Sequence, residues 1–204
     1  MRFITLFLLV LPFFIKAQNC SSPGSTAQTA TVICSSNTFF QSNISSCFGP
    51  TIPFAGCAGW SFNADNAAWY SFHCYATGAL GFLLTPLGPA DDYDWAVYDV
   101  TGISFAQLFS GGHEISVNLS GNTGPTGCTS TGTGNVNCAG GNPQFNAMPT
   151  ILAGHDYLIV VSNWSNSGLG YNLDFTGGSS VLTSNPNPPT VTSVGINGCD
   201  ASKV

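Results

Sequence analysis

The stretch that decides the fold class lies at residues 68–75 and reads AWYSFHCY. Successive side chains of a β-strand point to opposite faces. This alternation gives the stretch two faces: Tyr70, Phe72 and Cys74 on one, and Trp69, Ser71 and His73 on the other. Aromatic residues are enriched in strands, so the pattern predicts a strand with an aromatic face directed toward a core.

Five later stretches have the same character. They read GALGFLLT (78–85), DWAVYDV (94–100), EISVNLS (114–120), HDYLIVVSN (155–163) and GYNLDFTG (170–177). Clusters of Gly, Pro, Asn and Ser separate them, which is the pattern of an all-β protein. Only residues 105–109 allow a helical turn. We therefore predict an all-β fold, an antiparallel β-sandwich of about eight strands, with an irregular surface loop at residues 121–146.

Charge is scarce and one-sided. Only 6% of the 204 residues are charged, against about 25% in an ordinary soluble domain. The three basic residues are Arg2, Lys16 and Lys203, so residues 18–202 contain neither Lys nor Arg. Nucleic-acid binding and polybasic attachment to anionic lipid both depend on such side chains. Both classes of function are therefore excluded for this part of the chain.

The N-terminus has the anatomy of a secretory signal peptide. Arg2 supplies a positive start, residues 3–15 are apolar, and Ala17 offers a small residue for cleavage before Gln18. This apolar run is too short to span a bilayer as a helix. We expect residues 1–17 to be removed and the mature chain, without a membrane span, to be secreted or held at the cell surface. A buried strand or an uncleaved anchor is the alternative.

Eight cysteines in an exported chain indicate disulfides, because the compartments outside the cytosol are oxidising. No Cys-x-x-Cys pair occurs and the three histidines are scattered, which disfavours a cysteine metal site. Closeness in sequence favours three pairs: Cys20 with Cys34, Cys47 with Cys57, and Cys128 with Cys138. Cys74 and Cys199 are then left without a clear partner, and the domain is predicted to be stapled by these disulfides.

The C-terminal residues have the composition of a linker between two domains. Residues 184–193 read SNPNPPTVTS, and prolines at this density favour an extended linker. Residues 194–204 start a new apolar pattern that is too short to fold alone. We interpret residues 18–183 as one β-sandwich domain and residues 194–204 as the truncated start of a further module. A C-terminal strand that completes the same sandwich is the alternative.

Four stretches together carry a resemblance to a known family: WYSF (69–72), GALGFLLTP (78–86), DDYDWAVYDVTG (91–102) and AGHDYLIVVSNWSNSGLGYNLDFTGG (153–178). Their order resembles the N-terminal β-sandwich of large surface proteins that gliding bacteria export by the type IX secretion pathway. That module is similar to the pre-peptidase C-terminal domain. The resemblance spans about residues 34–178. It implies a non-catalytic, jelly-roll-like domain associated with adhesion, gliding motility or glycan handling, with Ig-like modules following it.

Carboxylates concentrate at Asp91, Asp92 and Asp94, with Asp99 on the same predicted strand. They repel one another, and no Lys or Arg lies near them in sequence. Alternation places Asp92 and Asp94 on one face, about 6.6 Å apart along the strand, where Ca²⁺ would relieve the repulsion with oxygen ligands. The resemblance adds weight, since related domains include calcium binders. Alternatively, Asp91 and Asp92 cap a turn and Asp94 accepts backbone hydrogen bonds.

Two tryptophans are candidates for ligand binding, because flat aromatic faces can stack against sugar rings. Trp164 lies at a predicted loop tip, in NWSNSG at 163–168, and Trp60 lies in AGWSFN. Asn163 and Asn166 would bind sugar hydroxyls beside Trp164. The other two tryptophans lie inside predicted strands, and we expect them in the core. Packing is the alternative role for each of the four.

Catalytic motifs are missing from the sequence. It contains no Gly-x-Ser-x-Gly elbow, and HEISV at 113–117 fails His-Glu-x-x-His because residue 117 is Val. We predict a non-enzymatic module that mediates adhesion or binds an extracellular glycan or cell-surface polymer, with assistance from calcium. A purely structural spacer and an accessory domain of a secreted hydrolase are the alternatives.

Overall fold

The structure, a computed structural model, describes residues 18–33, 38–141, 143–175 and 177–180. These residues form fifteen strands, a 3-10 helix (Ala27–Thr29) and a short α-helix, α1 (Phe105–Leu108). The strands are β1 (Thr31–Val32), β2 (Phe39–Asn43), β3 (Thr51–Pro53), β4 (Ser61–Asn63), β5 (Ala67–His73), β6 (Gly78–Ala79), β7 (Phe82–Pro86), β8 (Tyr93–Asp99), β9 (Glu114–Ser120), β10 (Thr126–Thr129), β11 (Val136–Gly140), β12 (Phe145–Ala147), β13 (Thr150–Ile151), β14 (Asp156–Asn163) and β15 (Leu169–Asp174). The prediction of an all-β fold is confirmed.

A six-stranded sheet in the order β1-β5-β14-β8-β9-β11 forms the centre of the fold. β14 pairs antiparallel with both of its neighbours, so that Tyr157 lies opposite Phe72 on one side and Asp99 on the other. β5 is buried along its whole length except at His73. Both faces of this sheet are therefore covered.

The main core lies between this sheet and a five-stranded sheet in the order β12-β10-β7-β15-β2. It combines Trp95 and Ile159 of the first sheet with Phe82 and Tyr171 of the second. The rings of Phe82 and Trp95 meet edge to face with centroids 4.8 Å apart. The hydroxyls of Tyr70 and Tyr171 hydrogen-bond each other at 2.8 Å, which satisfies polar groups that would otherwise be buried unpaired.

A second apolar cluster covers the opposite face of the six-stranded sheet. Trp69 and Tyr98 of the sheet pack there with Ile52 and Phe62, which belong to the small β3–β4 sheet. Trp69 and Trp95 are both fully buried, one in each cluster. The expectation that these two strand tryptophans are core residues is confirmed.

The prediction of an irregular loop at residues 121–146 is wrong, because this part of the chain forms three strands. β10 and β12 extend the five-stranded sheet, and β11 extends the six-stranded one. Asn146, fully buried, holds them together: its Oδ1 accepts hydrogen bonds from Asn118 and Asn137, each at 2.7 Å. These strands are short and rich in Gly, Asn and Thr, and Gly and Asn are depleted in strands, so the sequence carries little strand signal here.

Strand pairing is mixed, so the prediction of a wholly antiparallel fold is wrong at the sheet margins. The pairs β1–β5, β9–β11 and β10–β12 are parallel. Alternation in a sequence indicates which residues share a face, but it does not indicate the direction of the neighbouring strand. That direction depends on where the intervening chain crosses.

Two disulfides are present among the described residues, Cys20–Cys47 and Cys57–Cys138. They span 27 and 81 positions, so closeness in sequence was a poor guide to the pairs. Three predicted pairs are wrong: Cys20 with Cys34, Cys47 with Cys57, and Cys128 with Cys138. Two disulfides fit an oxidising, extracellular environment.

Cys128, predicted to be in a disulfide, is a buried free thiol, and so is Cys74. Cys128 belongs to the main core, where its sulfur lies 3.8 Å from Ser116 Oγ. Cys138, its predicted partner, faces the second apolar cluster. Cys138 is bonded to Cys57 instead, and the two predicted partners belong to different sheets, Cys128 to the five-stranded one and Cys138 to the six-stranded one.

Several predicted segments lie outside the described residues. They are the signal peptide (1–17), Cys34, the end of the predicted domain (181–183), the linker (184–193) and the further module (194–204). Within the part of the chain that the structure describes, no helix is both long enough and apolar enough to cross a membrane.

Candidate functional site

A cleft of about 200 Å³ brings together aspartate and tryptophan residues that the sequence analysis selected separately. Leu119, which belongs to the second apolar cluster, lies in its wall, so the cleft opens at the margin of that cluster. The residues that line it are Trp60, Ser61, Asn63, Asp92, Asp94, Leu119, Gly121, Ala139, Gly140 and Trp164. They come from five separate parts of the chain.

The start of β8 positions the two carboxylates. Asp94 precedes Trp95, whose side chain lies in the main core, and alternation therefore directs Asp94 to the opposite face. Asp92 lies two residues earlier, and its backbone is held by the turn after β14. Its carbonyl accepts a hydrogen bond from the Trp164 N–H at 3.0 Å. Its N–H donates to Ser165 Oγ at 2.8 Å.

The carboxylates have no basic side chain near them, since residues 18–202 contain no Lys or Arg. Asp92 is only 8% exposed, and its Oδ1 is buried with no hydrogen-bond partner among the described residues. Burial raises the pKa of Asp92 to about 6. Burial and the charge of Asp92 together raise the pKa of Asp94 to about 8. Near neutral pH the pair therefore holds a proton unless a bound cation replaces it.

Trp164 lies at the tip of the turn after β14, and 62% of it is exposed. The turn is closed by the Asn166 N–H, which donates to the Asn163 carbonyl at 3.1 Å. Asn166 has a φ of +50°, a left-handed conformation that asparagine adopts more readily than most residues. Ser167 Oγ donates to Asp91 Oδ2 at 2.7 Å. A rigid backbone thus presents an indole ring to solvent.

Trp60 adds a second exposed indole, with 51% of the residue exposed. Its N–H donates to the Cys57 carbonyl at 3.0 Å and closes the turn at 57–60. Cys57 is joined to Cys138 of β11, and the next two residues of β11, Ala139 and Gly140, line the same cleft. The disulfide therefore connects the turn that carries Trp60 to another wall of the site.

The four aspartates proposed as calcium ligands do not form one group. Asp91 takes part in a turn, where its N–H donates to the Gly88 carbonyl at 2.9 Å. Asp99 lies at the other end of β8, and its Oδ2 is 2.7 Å from His155 Nδ1. Only Asp92 and Asp94 share the cleft. Among the described residues, no three His, Cys, Asp or Glu side chains are grouped so that they could hold a metal ion.

The two asparagines proposed as ligands do not line the cleft; they hold the loop that carries Trp164. Asn163 is buried, and its Nδ2 donates to Tyr93 Oη at 2.9 Å. Asn166 Oδ1 accepts a hydrogen bond from Ser46 Oγ at 3.1 Å. Their role is therefore to position the tryptophan.

Sequence reasoning missed two polar residues of the cleft, Ser61 and Asn63. They flank Phe62 in β4, and Phe62 is fully buried in the second apolar cluster. Alternation around this aromatic residue was the available signal, but three residues are too few for a periodicity to be recognised. Their hydroxyl and amide groups add hydrogen-bonding capacity beside Trp60.

In the described part of the chain, three cavities are larger than this cleft, and the two largest have different chemistry. One of about 590 Å³ lies beside the 3-10 helix, β1 and α1 and is lined mainly by apolar residues. Its single carboxylate, Asp156, already contacts His73 Nδ1 at 2.8 Å. Another of about 360 Å³ surrounds the Asp99–His155 pair. The smaller cleft is the one that combines exposed indoles with an unpartnered carboxylate oxygen, and it is the candidate site.

Comparisons with known proteins do not add to this assignment: no family model, no curated protein and no solved structure matches the chain. The function is therefore argued from the geometry and chemistry of the cleft.

Proposed function

We propose that this chain is a secreted or cell-surface β-sandwich module, without catalytic activity, that binds an extracellular glycan at the cleft between Trp60 and Trp164. The observation that carries the proposal is the meeting of two largely exposed indoles with two carboxylates in one concave site. The resemblance to the N-terminal modules of type IX-secreted surface proteins is in line with a role in adhesion.

The chemistry of the lining suits a sugar. An indole offers a flat apolar face with an N–H at its edge, which matches the apolar C–H face of a pyranose ring. Carboxylate oxygens accept hydrogen bonds from hydroxyl groups, and the Ser61 and Asn63 side chains can donate or accept them. Neighbouring exposed apolar side chains, rather than isolated ones, commonly mark binding surfaces, and Trp60 and Trp164 line the same cleft.

The size of the cleft limits what it encloses. At about 200 Å³ it is smaller than the roughly 300–1,000 Å³ of pockets that enclose drug-sized ligands. We therefore expect one sugar unit to enter the cleft, while the rest of the polymer lies outside it. Affinity for a single site should be modest, and several copies on one surface would raise it through multivalency.

Calorimetric titration with a panel of oligosaccharides tests the proposal. Trp164→Ala and Trp60→Ala should each weaken binding about 10-fold or more, because truncating a central aromatic residue of a binding site commonly costs about 2 kcal/mol. The matched control is Phe40→Ala, which removes another aromatic residue, 66% exposed, from β2 outside the cleft. Unchanged affinity in both tryptophan variants, or no oligosaccharide bound at all, would refute the proposal.

The non-catalytic part of the proposal has its own test. Glycoside hydrolysis generally requires two carboxyl groups that flank the scissile bond, whereas Asp92 and Asp94 both come from one short segment before and within β8. Prolonged incubation with the oligosaccharide that binds best should release no shorter products. Release of products that stops in Asp94→Asn would contradict this assignment.

Calcium assistance stays a prediction, now confined to Asp92 and Asp94. Two carboxylates supply at most four of the six to eight oxygens that Ca²⁺ takes, so water or sugar hydroxyls would have to complete the shell. Calcium bound at this pair would raise the melting temperature of the protein on titration with CaCl₂, and Asp94→Asn would remove the effect. A melting temperature that does not respond to calcium would exclude it.

A further inference from the structure

The feature that the proposed function does not yet explain is the negative charge of the cleft. Asp92 and Asp94 are the only titratable side chains among the residues that line it. Asp92 has one oxygen buried without a hydrogen-bond partner in the described part of the chain. Leaving a buried acceptor unpaired is costly, and a neutral ligand does not compensate for carboxylate charge. A site built for neutral sugars alone would not need this pair.

The two indole rings also favour a positively charged ligand. The face of an indole ring is electronegative and attracts a cation that lies over it. Trp60 and Trp164 expose such rings beside the two carboxylates. No Lys or Arg occurs in residues 18–202 and no histidine lines the cleft, so no lining side chain can occupy this place as a cation. A positive charge that compensates the two carboxylates must therefore be supplied by the ligand.

We infer that the cleft selects a glycan unit that carries a protonated amino group, with the ammonium beside the two carboxylates and the sugar ring against the indoles. This inference rests on the proposed function and names the class of glycan within it. An ammonium group has three donors and a single positive charge, so it can bridge two neighbouring carboxylates.

An organic cation fits the site better than a metal ion does. Hard cations such as Ca²⁺ need six to eight oxygen ligands, and no group of three or more ligating side chains is present among the described residues. An ammonium group needs only two or three acceptors, and it also gains from aromatic faces, on which a calcium site does not depend.

The decisive experiment compares two trisaccharides by calorimetry: the trimer of glucosamine and the trimer of N-acetylglucosamine. Acetylation removes the charge and leaves the pyranose ring unchanged. At about pH 6 most of the free amines are protonated, although the sugar oxygens hold their pKa below the roughly 7.7–8.0 of an α-amino group, and the glucosamine trimer should bind about 10- to 100-fold more tightly. Asp94→Asn should reduce that ratio to near 1, and cooperative urea unfolding of the variant shows independently that it is folded.

Each outcome has one meaning. A preference for the amine that disappears in Asp94→Asn supports the inference. Equal affinity for the two trimers overturns the inference but leaves the proposed glycan function standing. Binding of neither trimer, together with no binding in the wider oligosaccharide panel, overturns both. If CaCl₂ alone binds at Asp94 and blocks the glucosamine trimer, the carboxylates form a metal site and the inference is wrong.

Discussion

Replacing Asp94 by Asn should make the protein more stable at alkaline pH, which is the opposite of what removing a buried hydrogen-bonded charge usually does. The pKa of Asp94 is about 8 in the folded protein because of burial and the neighbouring Asp92, against 3.8 as its ordinary value. Between these two pH values the folded state binds more protons than the unfolded state. The free energy of unfolding must then fall as the pH rises.

The magnitude follows from the same two values. A tenfold change in proton affinity is worth about 1.4 kcal/mol, so the full difference corresponds to at most about 6 kcal/mol. Asp94 is partly exposed, and water screens part of this cost, so we expect a gain of about 2–4 kcal/mol for Asp94→Asn above pH 8. Near pH 5, where Asp94 is protonated in the folded protein but still mostly ionised in the unfolded chain, the gain should fall to about a quarter of that, and it should vanish only below about pH 4.

Urea denaturation at about pH 5 and about pH 8.5, with the disulfides intact, measures this effect. Asp99→Asn is the matched control at the other end of β8. Burial alone would raise the pKa of Asp99, but hydrogen bonds from Thr101 and His155 outweigh it and lower the pKa. Ionised Asp99 therefore stabilises the folded state above its ordinary pKa, and Asp99→Asn should lose stability at both pH values.

The reasoning would be refuted if Asp94→Asn were no more stable than the unsubstituted protein at about pH 8.5. That result would mean that Asp94 ionises in the folded protein at no cost, with its charge already compensated. Stabilisation of equal size at both pH values would also contradict it, since the linkage requires the gain to grow with pH.

The disulfides and the buried asparagine cluster lead to two further predictions. Replacing Cys57 and Cys138 by Ser should lower stability by about 4.5 kcal/mol from the length of the closed loop and should also weaken glycan binding, because this bond holds the turn that carries Trp60. The same change at Cys20 and Cys47 should cost about 3.5 kcal/mol and leave the affinity of the remaining folded protein unchanged; equal affinity losses would contradict the assigned role. Asn146→Ala should cost about 3–5 kcal/mol in urea denaturation, because it leaves several buried groups unpaired, and a loss below about 1 kcal/mol would show that the cluster adds little.

Local periodicity predicted the central strands well. The stretch EISVNLS coincides with β9 (Glu114–Ser120), and the predicted strand at 155–163 differs from β14 by one residue. In both cases the side chains alone define the strand: apolar residues alternate with polar ones in EISVNLS, and a β-branched run at residues 159–161 lies in β14. Residues 136–140, which read VNCAG, became a strand only because β9 offers a partner edge.

The candidate site, like the strands, could be predicted in part from local sequence. The sequence singled out Asp92, Asp94, Trp60 and Trp164 by residue type, by alternation and by their place in loops. The sequence also predicted Asn163 as a ligand-binding residue. In the structure, however, Asn163 supports the loop from beneath. Side-chain chemistry can be recognised locally, but whether a side chain faces the solvent or the core depends on the layers packed around it.

The sequence alone determined the strand-rich class of this protein, the sides to which its central side chains point, and the lack of cations in residues 18–202. These properties depend on residue type and on a spacing of two, which are local. The tertiary structure alone decided that Cys57 bonds Cys138 and that Trp164 meets the carboxylates of β8. The reason is that β14 lies next to β8 in the sheet, and strand order is set by burial of apolar surface over the whole chain.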